Sequence, residues 1–324
     1  MNKEISMLIE KYELGHIELV EQFDSLQNRV FRVITTSGKY VIKEFSKDSI
    51  GNYYQLQKRK KQIEVSKLLD KKGIKCCLPI TVERREFLTA NGRYYLLYDY
   101  VGHRPLEVKD VTLDHIDVLA STQARIHKIK NHVPLSCSYK KIKIDFDKQL
   151  NILKKKDKDA YNVLSENLMT MINMVNECNG AIRVLKRNLC IGHNDYKLLN
   201  ILWNDKDMIL IDFDALGLSN PTISLCESAF TFARMGRRIN YEFYEAYLRS
   251  YLSVYGKVKE NYRAALIASF NGKLQWLCYM FSKNHLKKDN FIDDTKALIE
   301  ELVLYYKNID KFNRIYNKII SELN

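Results

Sequence analysis

Residues 191–217, IGHNDYKLLNILWNDKDMILIDFDALG, place acids and amides around two short apolar runs. Asp195 and Asn200 come before the first run, and Asp212 interrupts the end of the second. A carboxylate in a buried strand costs free energy unless another group pairs with it. Ordinary folding would not select these polar residues, so we expect them to carry function.

The stretch from residue 200 to residue 214 has the pattern of a β-hairpin whose open end collects oxygen ligands. Its two arms flank a predicted turn at 204–207, and pairing the arms brings Asn200 near Asp212. Asp195 lies in the loop that leads into the first arm. Carboxylate and amide oxygens are ligands for Mg²⁺, which takes one or two protein carboxylates together with substrate phosphates. One acid then remains to act on a substrate proton.

The composition is that of a folded chain with two domains or two lobes. Of its 324 residues, 46% are hydrophobic and 28% are charged. No apolar run reaches the roughly 20 residues of a membrane-spanning helix, and residues 1–15 lack the pattern of a signal peptide. The seven cysteines include no C-x-x-C pair, which argues against structural zinc and favours reduced thiols. These features predict a cytoplasmic protein without a membrane partner.

The formal net charge of +13 raises nucleic acid as a partner. The basic clusters at 58–61 and 153–159 lie in amphipathic helical patterns, however, and such runs more often form solvated helix faces. We therefore interpret the charge as a weak signal for an anionic ligand such as a nucleotide. Nucleic acid is not the predicted partner.

The N-terminal part has the pattern of a small sheet with one helix. Two strand-like runs flank Thr36-Ser37-Gly38, and two more flank Asn91-Gly92, which is a strong hairpin signal. Between the two predicted hairpins, a helical stripe ends at Gly73. The sequence therefore predicts an α+β protein whose small β-rich lobe, with one helix, spans residues 1–101.

The remaining residues, 102–324, form the second predicted lobe, which is larger and mainly helical. One helix is marked by a tyrosine-rich face that begins at Tyr241 and is closed by Gly256. A tyrosine stripe at helical spacing more often belongs to a core than to a binding site. His127, in another amphipathic stretch, is likewise interpreted as structural.

The motif HNDYKLLN at 193–200 resembles the H-x-D-x-x-x-x-N catalytic loop of kinase-like phosphotransferases, and IDFD at 211–214 stands at their metal-binding aspartate. Both motifs look most like the aminoglycoside phosphotransferase and choline kinase-like branch, which includes antibiotic, choline and homoserine kinases and spore-coat proteins. The resemblance spans nearly the whole chain and implies a two-lobed protein kinase-like fold. It implies an ATP-dependent, or GTP-dependent, kinase that transfers the γ-phosphoryl group to a small-molecule hydroxyl.

The resemblance also implies a role for each matching residue. Asp195 accepts the proton of the acceptor hydroxyl or orients that hydroxyl, while Asn200 and Asp212 bind Mg²⁺. His193 braces the loop by hydrogen bonding. Each residue taken alone has a structural interpretation, such as a turn cap or a buried carboxylate with a partner, but the set together favours a phosphotransferase site.

Further matches concern the nucleotide. Lys43 resembles the strand lysine that holds the α- and β-phosphates, and Glu64 the helix glutamate that keeps this lysine aimed. Because such a lysine reaches a phosphate, we expect it to lie outside the core. The alternative interpretation of Lys43 is an edge-strand lysine, and that of Glu64 is a solvated helix carboxylate. The backbone of Asp99 and Val101 would face the purine.

Two regions depart from the family pattern. The glycine-rich loop is replaced by DSLQNRVFRV, in which Ser25, Gln27, Asn28 and backbone N–H groups would contact the nucleotide. In the catalytic loop, Lys197 and Leu198 replace the small residues or proline that are common there. The second departure lies toward the acceptor and weakens assignment to a particular antibiotic.

The sequence does not identify the acceptor substrate. Polycationic aminoglycosides require an acidic patch, whereas choline requires an aromatic cage. The candidates by position and chemistry are Asp214, Glu227, Trp276 and Tyr279. The alternative function is a non-catalytic binding or spore-coat-associated protein of the same fold, against which the intact catalytic and metal-binding positions argue.

Overall fold

A computed structural model describes residues 3–23, 28–204, 207–282 and 289–323. The chain divides into two compact units. The first is Met1–Leu106, His132–Leu135 and Leu199–Asp214, and the second is Glu107–Asn131, Ser136–Leu198 and Ala215–Asn324. These units differ from the continuous lobes predicted at 1–101 and 102–324, since residues 199–214, which include Asp212, group with the N-terminal strands.

The first unit is mainly β-structure, with elements numbered in chain order. It contains α1 (Lys3–Lys11), β1 (Ile17–Phe23), β2 (Arg29–Thr35), β3 (Gly38–Glu44), α2 (Tyr53–Lys71), β4 (Phe87–Ala90), β5 (Arg93–Asp99), β6 (Arg104–Pro105), β8 (Ile201–Asn204) and β9 (Asp207–Leu210). Five of the strands form an antiparallel sheet in the order β1-β2-β3-β5-β4. Both predicted hairpins, β2–β3 and β4–β5, are confirmed. Asn91 and Gly92 have φ of 48° and 71°, the left-handed conformation that a two-residue hairpin turn favours.

One helix packs against each face of this sheet. α1 buries Ile5 in the core on one face, and α2 buries Ile63 together with Leu96 and Phe87 on the other. Lys43 lies opposite Leu96 in the β3–β5 ladder. Because directly opposed residues of antiparallel strands point to the same side, Lys43 projects from the α2 face.

The predicted hairpin β8–β9 is also present and pairs with β6. Asn204 lies opposite Asp207, and residues 205–206 of the predicted turn lie outside the described part of the chain. Leu210 forms a β-bridge with Cys76. These pairings join the hairpin to N-terminal segments, which is why it belongs to the first unit.

The second unit is mainly helical. It contains α3 (Leu113–Lys128), α4 (Phe146–Lys156), α5 (Lys158–Glu166), α6 (Leu168–Leu185), β7 (Cys190–Gly192), β10 (Gly217–Ser219), α7 (Pro221–Ala233), β11 (Arg234–Met235), β12 (Arg238–Ile239), α8 (Tyr241–Tyr255), α9 (Tyr262–Ala268), α10 (Phe270–Ser282), α11 (Asp289–Lys307) and α12 (Ile309–Leu323). β7 pairs with β10, and β11 with β12. Among the helices described in both units, none has the length and apolar character needed to cross a bilayer.

The tyrosine face of α8 belongs to the core of the second unit, as predicted. Tyr244, Tyr247 and Tyr251 are fully buried, and the helix ends where Gly256 takes φ 91°. The Tyr251 hydroxyl lies 2.6 Å from His127 Nδ1. Burial lowers the pKa of His127 to about 3, so this histidine is neutral and structural.

Candidate active site

The open end of the β8–β9 hairpin brings Asn200 and Asp212 to the same place, as the sequence predicts. The Ile211 N–H donates to the Asn200 carbonyl at 3.0 Å, and the Asn200 side chain is buried. Asp212 follows with φ 58°, a left-handed conformation that aspartate tolerates better than most residues. Such backbone outliers concentrate at functional sites.

Lys43 is the centre of a charge cluster in the first unit. Its Nζ lies 2.8 Å from Asp212 Oδ1 and 2.8 Å from Asp214 Oδ2. The Lys43 side chain is only 11% exposed, so the expectation that it lies outside the core is wrong. Burial lowers the pKa of Lys43, but the charges of Asp214 and Asp212 outweigh burial and raise it above its ordinary value. A permanently charged ammonium is therefore held beside the predicted metal ligand.

α2 presents Arg59 and Gln62 to this cluster rather than Glu64. The Gln62 Nε2 donates to the Asp214 carbonyl at 2.9 Å, and Arg59 Nη1 lies 3.6 Å from Asp214 Oδ1. In the described chain, Lys43 pairs with the two aspartates, and the Lys43–Glu64 pair expected from the resemblance is not formed. Successive helix residues are rotated by about 100°, so residues two positions apart point to nearly opposite sides. Glu64 therefore points to solvent while Gln62 faces the cluster.

Asp214 belongs to the Lys43 cluster. Asn28 Nδ2 donates to Asp214 Oδ2 at 2.9 Å, and Asn28 Oδ1 accepts from the Ser46 N–H at 3.2 Å. Asp214 is therefore held by residues assigned to the nucleotide, and its assignment as an acceptor candidate stays a prediction. Ser25 and Gln27, the other predicted nucleotide contacts of this loop, lie outside the described residues.

The predicted purine contacts lie at the end of β5. Asp99 is the last residue of that strand and is opposite Tyr40. The Tyr100 N–H donates to the Lys39 carbonyl at 3.0 Å, which extends the pairing with β3 by one residue. Val101 then begins the loop that leads to β6. The assignment of both backbone segments to a purine stays a prediction.

In the second unit, the loop that carries Asp195 is anchored on both sides of that residue. Asn194 has φ 60°, and its Nδ2 donates to the Ala215 carbonyl at 3.1 Å. The buried Tyr196 donates its hydroxyl to the Leu119 carbonyl of α3 at 2.9 Å. Asp195 itself is 35% exposed. The loop is therefore fixed by its neighbours while its carboxylate stays accessible.

The entry to this loop is closely packed. A Cβ at position 192 would lie 2.1 Å from Ser219 Oγ and 2.6 Å from Asn194 Oδ1, so any larger residue than Gly192 would force these side chains to shift. His193 is buried, with its ring centroid 6.0 Å from that of Tyr196. This packing fits the predicted bracing role of His193, which stays a prediction.

A cavity of about 110 Å³ lies in the second unit beside the anchored loop. The residues that line it include Gln123, Asp195, Lys197, Ser224, Glu227 and Lys273. Lys197 Nζ lies 2.9 Å from Asp195 Oδ1. The cavity thus contains carboxylate and ammonium groups of opposite charge within a small volume.

Glu227, which lines this cavity, has a strongly raised pKa. Burial is the main reason that its pKa is raised to about 7. The charge of Lys273 opposes the shift, whereas those of Asp195 and Glu301 add to it. Lys273 Nζ lies 2.8 Å from Glu301 Oε1, and Arg234 also pairs with Glu301. Glu227 therefore changes charge near neutral pH.

The aromatic acceptor candidates do not line this cavity. Trp276 and Tyr279 stack on each other on α10, with ring centroids 5.1 Å apart and planes inclined by 21°. The residue of α10 that reaches the cavity is Lys273, about one helical turn before Trp276. Of the four acceptor candidates, Glu227 is the one that the structure places beside Asp195.

Some charged and polar residues of these clusters were not predicted from the sequence. Arg59 and Gln62 have the i, i+3 spacing that places two side chains on one helix face, so this signal was available. Lys273 and Glu301 lie on α10 and α11, and no sequence pattern pairs them. Their ion pair depends on how those helices pack.

The hairpin end offers the donor types that Mg²⁺ prefers, namely the Asn200 amide oxygen and the Asp212 carboxylate. Asp212 already pairs with a cation, Lys43, which shows that the site favours positive charge. No group of three or more His, Cys, Asp and Glu side chains within the described residues is arranged for a metal. The residues present fit a cation that takes few protein ligands and completes its shell with phosphates and water.

Comparison with known proteins relates these features to a family. A model of the phosphotransferase enzyme family (APH) matches residues 20–261. No curated protein sequence matches the chain.

Solved structures with the same fold include several kinases. The microcompartment-associated aminopropanol kinase is 13% identical with a TM-score of 0.67, over 95% of this chain and 98% of that one. A spectinomycin phosphotransferase in complex with ADP and spectinomycin is 12% identical with a TM-score of 0.65, over 96% and 98%. The choline kinase of Cryptosporidium parvum is 14% identical with a TM-score of 0.58, over 97% and 98%. The predicted α+β, protein kinase-like fold is confirmed.

Proposed function

We propose, because this chain belongs to the phosphotransferase enzyme family, that it transfers the γ-phosphoryl group of ATP, or GTP, to a hydroxyl group of a small molecule. The observation that carries this proposal is the ion pair between Lys43 and Asp212. The two residues are 169 positions apart and meet at 2.8 Å. Lys43 was assigned to the nucleotide phosphates and Asp212 to a metal ion, each from a separate sequence motif.

This pairing supports a phosphate site on physical grounds. Lys43 is largely buried but Asp212 is 40% exposed. An ion pair of this kind is weak evidence for stability, because apolar residues of similar size often fold at least as well. A nucleoside triphosphate with its Mg²⁺, by contrast, needs a cation and a carboxylate in one place. Lys43 supplies the first and Asp212 the second, and Asp214 keeps the lysine charged.

In the proposed reaction, the acceptor oxygen forms a bond to the γ-phosphorus while the bond from this phosphorus to the β,γ-bridging oxygen breaks. The nucleoside diphosphate leaves with the electron pair of the broken bond. The hydroxyl proton passes to the carboxylate of Asp195, which orients the hydroxyl from its anchored loop. Lys43 holds the phosphates of the nucleotide. Mg²⁺ held by Asn200 and Asp212 would neutralise phosphate charge.

Glu227 and the size of the cavity favour a small acceptor that carries an amine. Glu227 is a partly buried carboxylate with a pKa of about 7, and such a group gains most from a cationic partner. Since roughly 10–15 Å³ of such a cavity holds one water molecule, about 110 Å³ suits an acceptor of about ten non-hydrogen atoms. The names of the aminopropanol and choline kinases agree with this chemistry, and the stacked Trp276 and Tyr279 lie outside the cavity lining.

We also propose that the reaction takes place in the cytoplasm. All seven cysteines are free thiols. Reduced thiols are typical of the reducing cytosol, whereas secreted proteins more often form disulfides.

A panel of acceptors, assayed with ATP and GTP in parallel, tests the proposal. The panel contains amino alcohols of two to four carbons, choline, homoserine and several aminoglycosides. We expect equal amounts of nucleoside diphosphate and phosphorylated product, identified by mass spectrometry, with amino alcohols favoured over aminoglycosides. A protein that binds nucleotide but phosphorylates no member of the panel would instead match the non-catalytic alternative.

A further inference from the structure

The cavity of the second unit is lined by two carboxylates and two lysines whose ion pairs are unevenly distributed. The carboxylates are Asp195 and Glu227, and the lysines are Lys197 and Lys273. Asp195 pairs with Lys197. Lys273, however, pairs at 2.8 Å with Glu301 of α11, a residue outside the lining. Among the residues that the structure describes, no lysine or arginine forms an ion pair with Glu227.

α10 places Lys273 within electrostatic reach of Glu227. Gly272, the residue before Lys273, lies so near that a Cβ at this position would be 3.3 Å from Glu227 Oε1. Burial raises the pKa of Glu227, and the charge of Lys273 opposes that shift, so the two groups interact. Because lysine has a flexible four-carbon stem, reorientation can carry its ammonium group from one carboxylate to another.

Glu301 holds Lys273 away from Glu227. The Lys273 and Glu301 side chains are only 19% and 12% exposed. Arg234, which follows α7, pairs with the same carboxylate. Burial raises the pKa of Glu301, but the charges of Lys273 and Arg234 outweigh burial and lower it below its ordinary value. Glu301 therefore stays ionised at neutral pH and remains the partner of the lysine.

The partner of Lys273 matters because this lysine is largely buried. A buried charge that loses its partner is costly, so it takes another counter-charge within reach. Glu227 is that counter-charge, since Asp195 already pairs with Lys197. A pair between Lys273 and Glu227 would balance the charge of Glu227 and occupy the place that the proposed function gives to an amine.

We propose that Glu301 is a positioning residue, which withholds Lys273 from Glu227 and so leaves Glu227 available to the ammonium group of the acceptor. This role rests on the proposed function, in which the acceptor carries both a hydroxyl and an amine. Glu301 is not on the cavity lining, so it acts through Lys273 rather than by contact with the acceptor. The arrangement selects cationic alcohols over neutral ones, because a neutral polyol gains nothing from an available carboxylate charge.

Glu301→Gln tests this role, because it keeps the size of the side chain and removes the charge that holds Lys273. With the best amino alcohol of the panel, we expect the KM for the acceptor to rise at least roughly tenfold, as for loss of one hydrogen bond to a charged group. The kcat should stay within about twofold, since Asp195 and the nucleotide site are unchanged. Removal of the lysine as well, in Glu301→Gln with Lys273→Met, should return the KM to within about threefold of that of Lys273→Met alone.

This rescue separates positioning from a structural role, because a damaged fold would not recover when a second buried side chain is changed. Glu300→Gln is the matched control. Glu300 is the neighbouring residue on α11 and pairs at 3.2 Å with Arg237, which is 82% exposed. Its KM, kcat and thermal midpoint should equal those of the wild type. If Glu301→Gln is insoluble, Glu301→Asp takes its place, since it keeps the charge but shortens its reach and should show a smaller rise in KM.

The inference is overturned if the KM of the Glu301 variant stays within about twofold of that of the wild type, or if the double variant keeps the raised KM. It is also overturned if kcat falls while the KM does not change. A wild type that phosphorylates no acceptor removes the proposed function and this inference together. An active wild type whose KM for the acceptor does not depend on Glu301 removes the inference alone.

Discussion

The two charge clusters of this protein use lysine–aspartate pairs in opposite ways. In the first unit, Lys43 is 11% exposed and is held by both Asp212 and Asp214. In the second unit, Lys197 is 46% exposed and meets Asp195 on the same short loop. The first pair joins residues far apart in sequence, and the second joins residues two positions apart.

The difference indicates what each cluster can do. A largely buried cation with two carboxylate partners is preorganised, because moving it would take the ammonium away from both carboxylates, and Asp214 is itself only 24% exposed. A half-exposed pair on a loop can exchange partners at little cost. We therefore expect the first cluster to bind a ligand whose charge stays in place. We expect the second cluster to act where charge moves during the reaction.

Asp195→Asn tests the second cluster at its centre and should have the largest effect. The substitution keeps the shape of the side chain but removes its charge and most of its basicity. We expect kcat to fall by at least about a hundredfold, within the range of roughly 10² to 10⁴ for general-base residues. Nucleotide affinity should stay within a few-fold, because the Lys43 cluster is unchanged. Steady-state kinetics and titration calorimetry measure the two quantities.

Asp207→Asn, at an exposed carboxylate of the β8–β9 hairpin, is the control for the loss of one negative charge. Its turnover should equal that of the wild type. Equal product formation by wild type and Asp195→Asn would show that the loop is structural, and the kinase proposal would fall.

Lys43→Ala tests the first cluster, and here two effects should appear together. Turnover at limiting nucleotide should fall roughly a hundredfold, as for loss of one charged group that stabilises the transition state. The free energy of unfolding should also fall by about 1–3 kcal/mol, because Asp212 and Asp214 lose their common partner. Chemical denaturation measures the second effect, which the sequence alone did not predict.

Lys39→Ala is the matched control on the same strand, since Lys39 is exposed. It should change neither turnover nor stability measurably. If Lys43→Ala turned over normally, the phosphate contact would have to lie elsewhere. If it kept full stability, the buried cluster would not constrain the fold as its contacts indicate.

Removal of Mg²⁺ tests whether the fixed charges of the first cluster include a metal site. We expect nucleotide affinity to be at least about tenfold weaker without Mg²⁺, since the metal links phosphates to protein oxygens. Asn200→Ala should reduce this dependence. Asn204→Ala, an exposed asparagine at the other end of the hairpin, should leave it unchanged. Equal affinity with and without Mg²⁺ would contradict the assignment of Asn200 and Asp212.

Glu227→Gln should have a smaller effect that depends on pH. The pKa of Glu227 is raised to about 7, so its carboxylate becomes charged as the pH rises through neutrality. The KM of the wild type for an amine-bearing acceptor should therefore fall several-fold between about pH 6 and pH 8. Glu227→Gln should lack this change and resemble the wild type at low pH. A wild-type KM that does not vary across this range would remove Glu227 from acceptor binding.

The same residue predicts a pH dependence of stability. Below its ordinary pKa of 4.5, Glu227 is protonated in both the folded and the unfolded chain. Between that value and about 7, the unfolded chain has lost the proton while the folded chain keeps it, so stability falls as the pH rises. Above about 7 the loss is complete, at up to roughly 3 kcal/mol, since one pKa unit corresponds to about 1.4 kcal/mol. Thermal melts of Glu227→Gln should lack this component.

Local pattern predicted much of the architecture and part of the site. Asn91-Gly92 predicted a tight hairpin because few other residue pairs accept two left-handed conformations in succession. The tyrosine face of α8 predicted a buried helix face. The spacing from Asn200 to Asp212 predicted that a hairpin would bring both to its open end, because strand pairing closes around a short turn.

The sequence by itself thus determined the elements, the hairpins and the loop that presents Asp195, since each depends on backbone preferences over a few neighbouring residues. Only the tertiary structure decided which charges meet. It gave Lys43 the partners Asp212 and Asp214, turned Glu64 to solvent, and placed Glu227 rather than Trp276 beside Asp195. The physical reason is that a charge finds its partner through helix rotation and strand register between distant segments, and the energy of packing a whole core decides both.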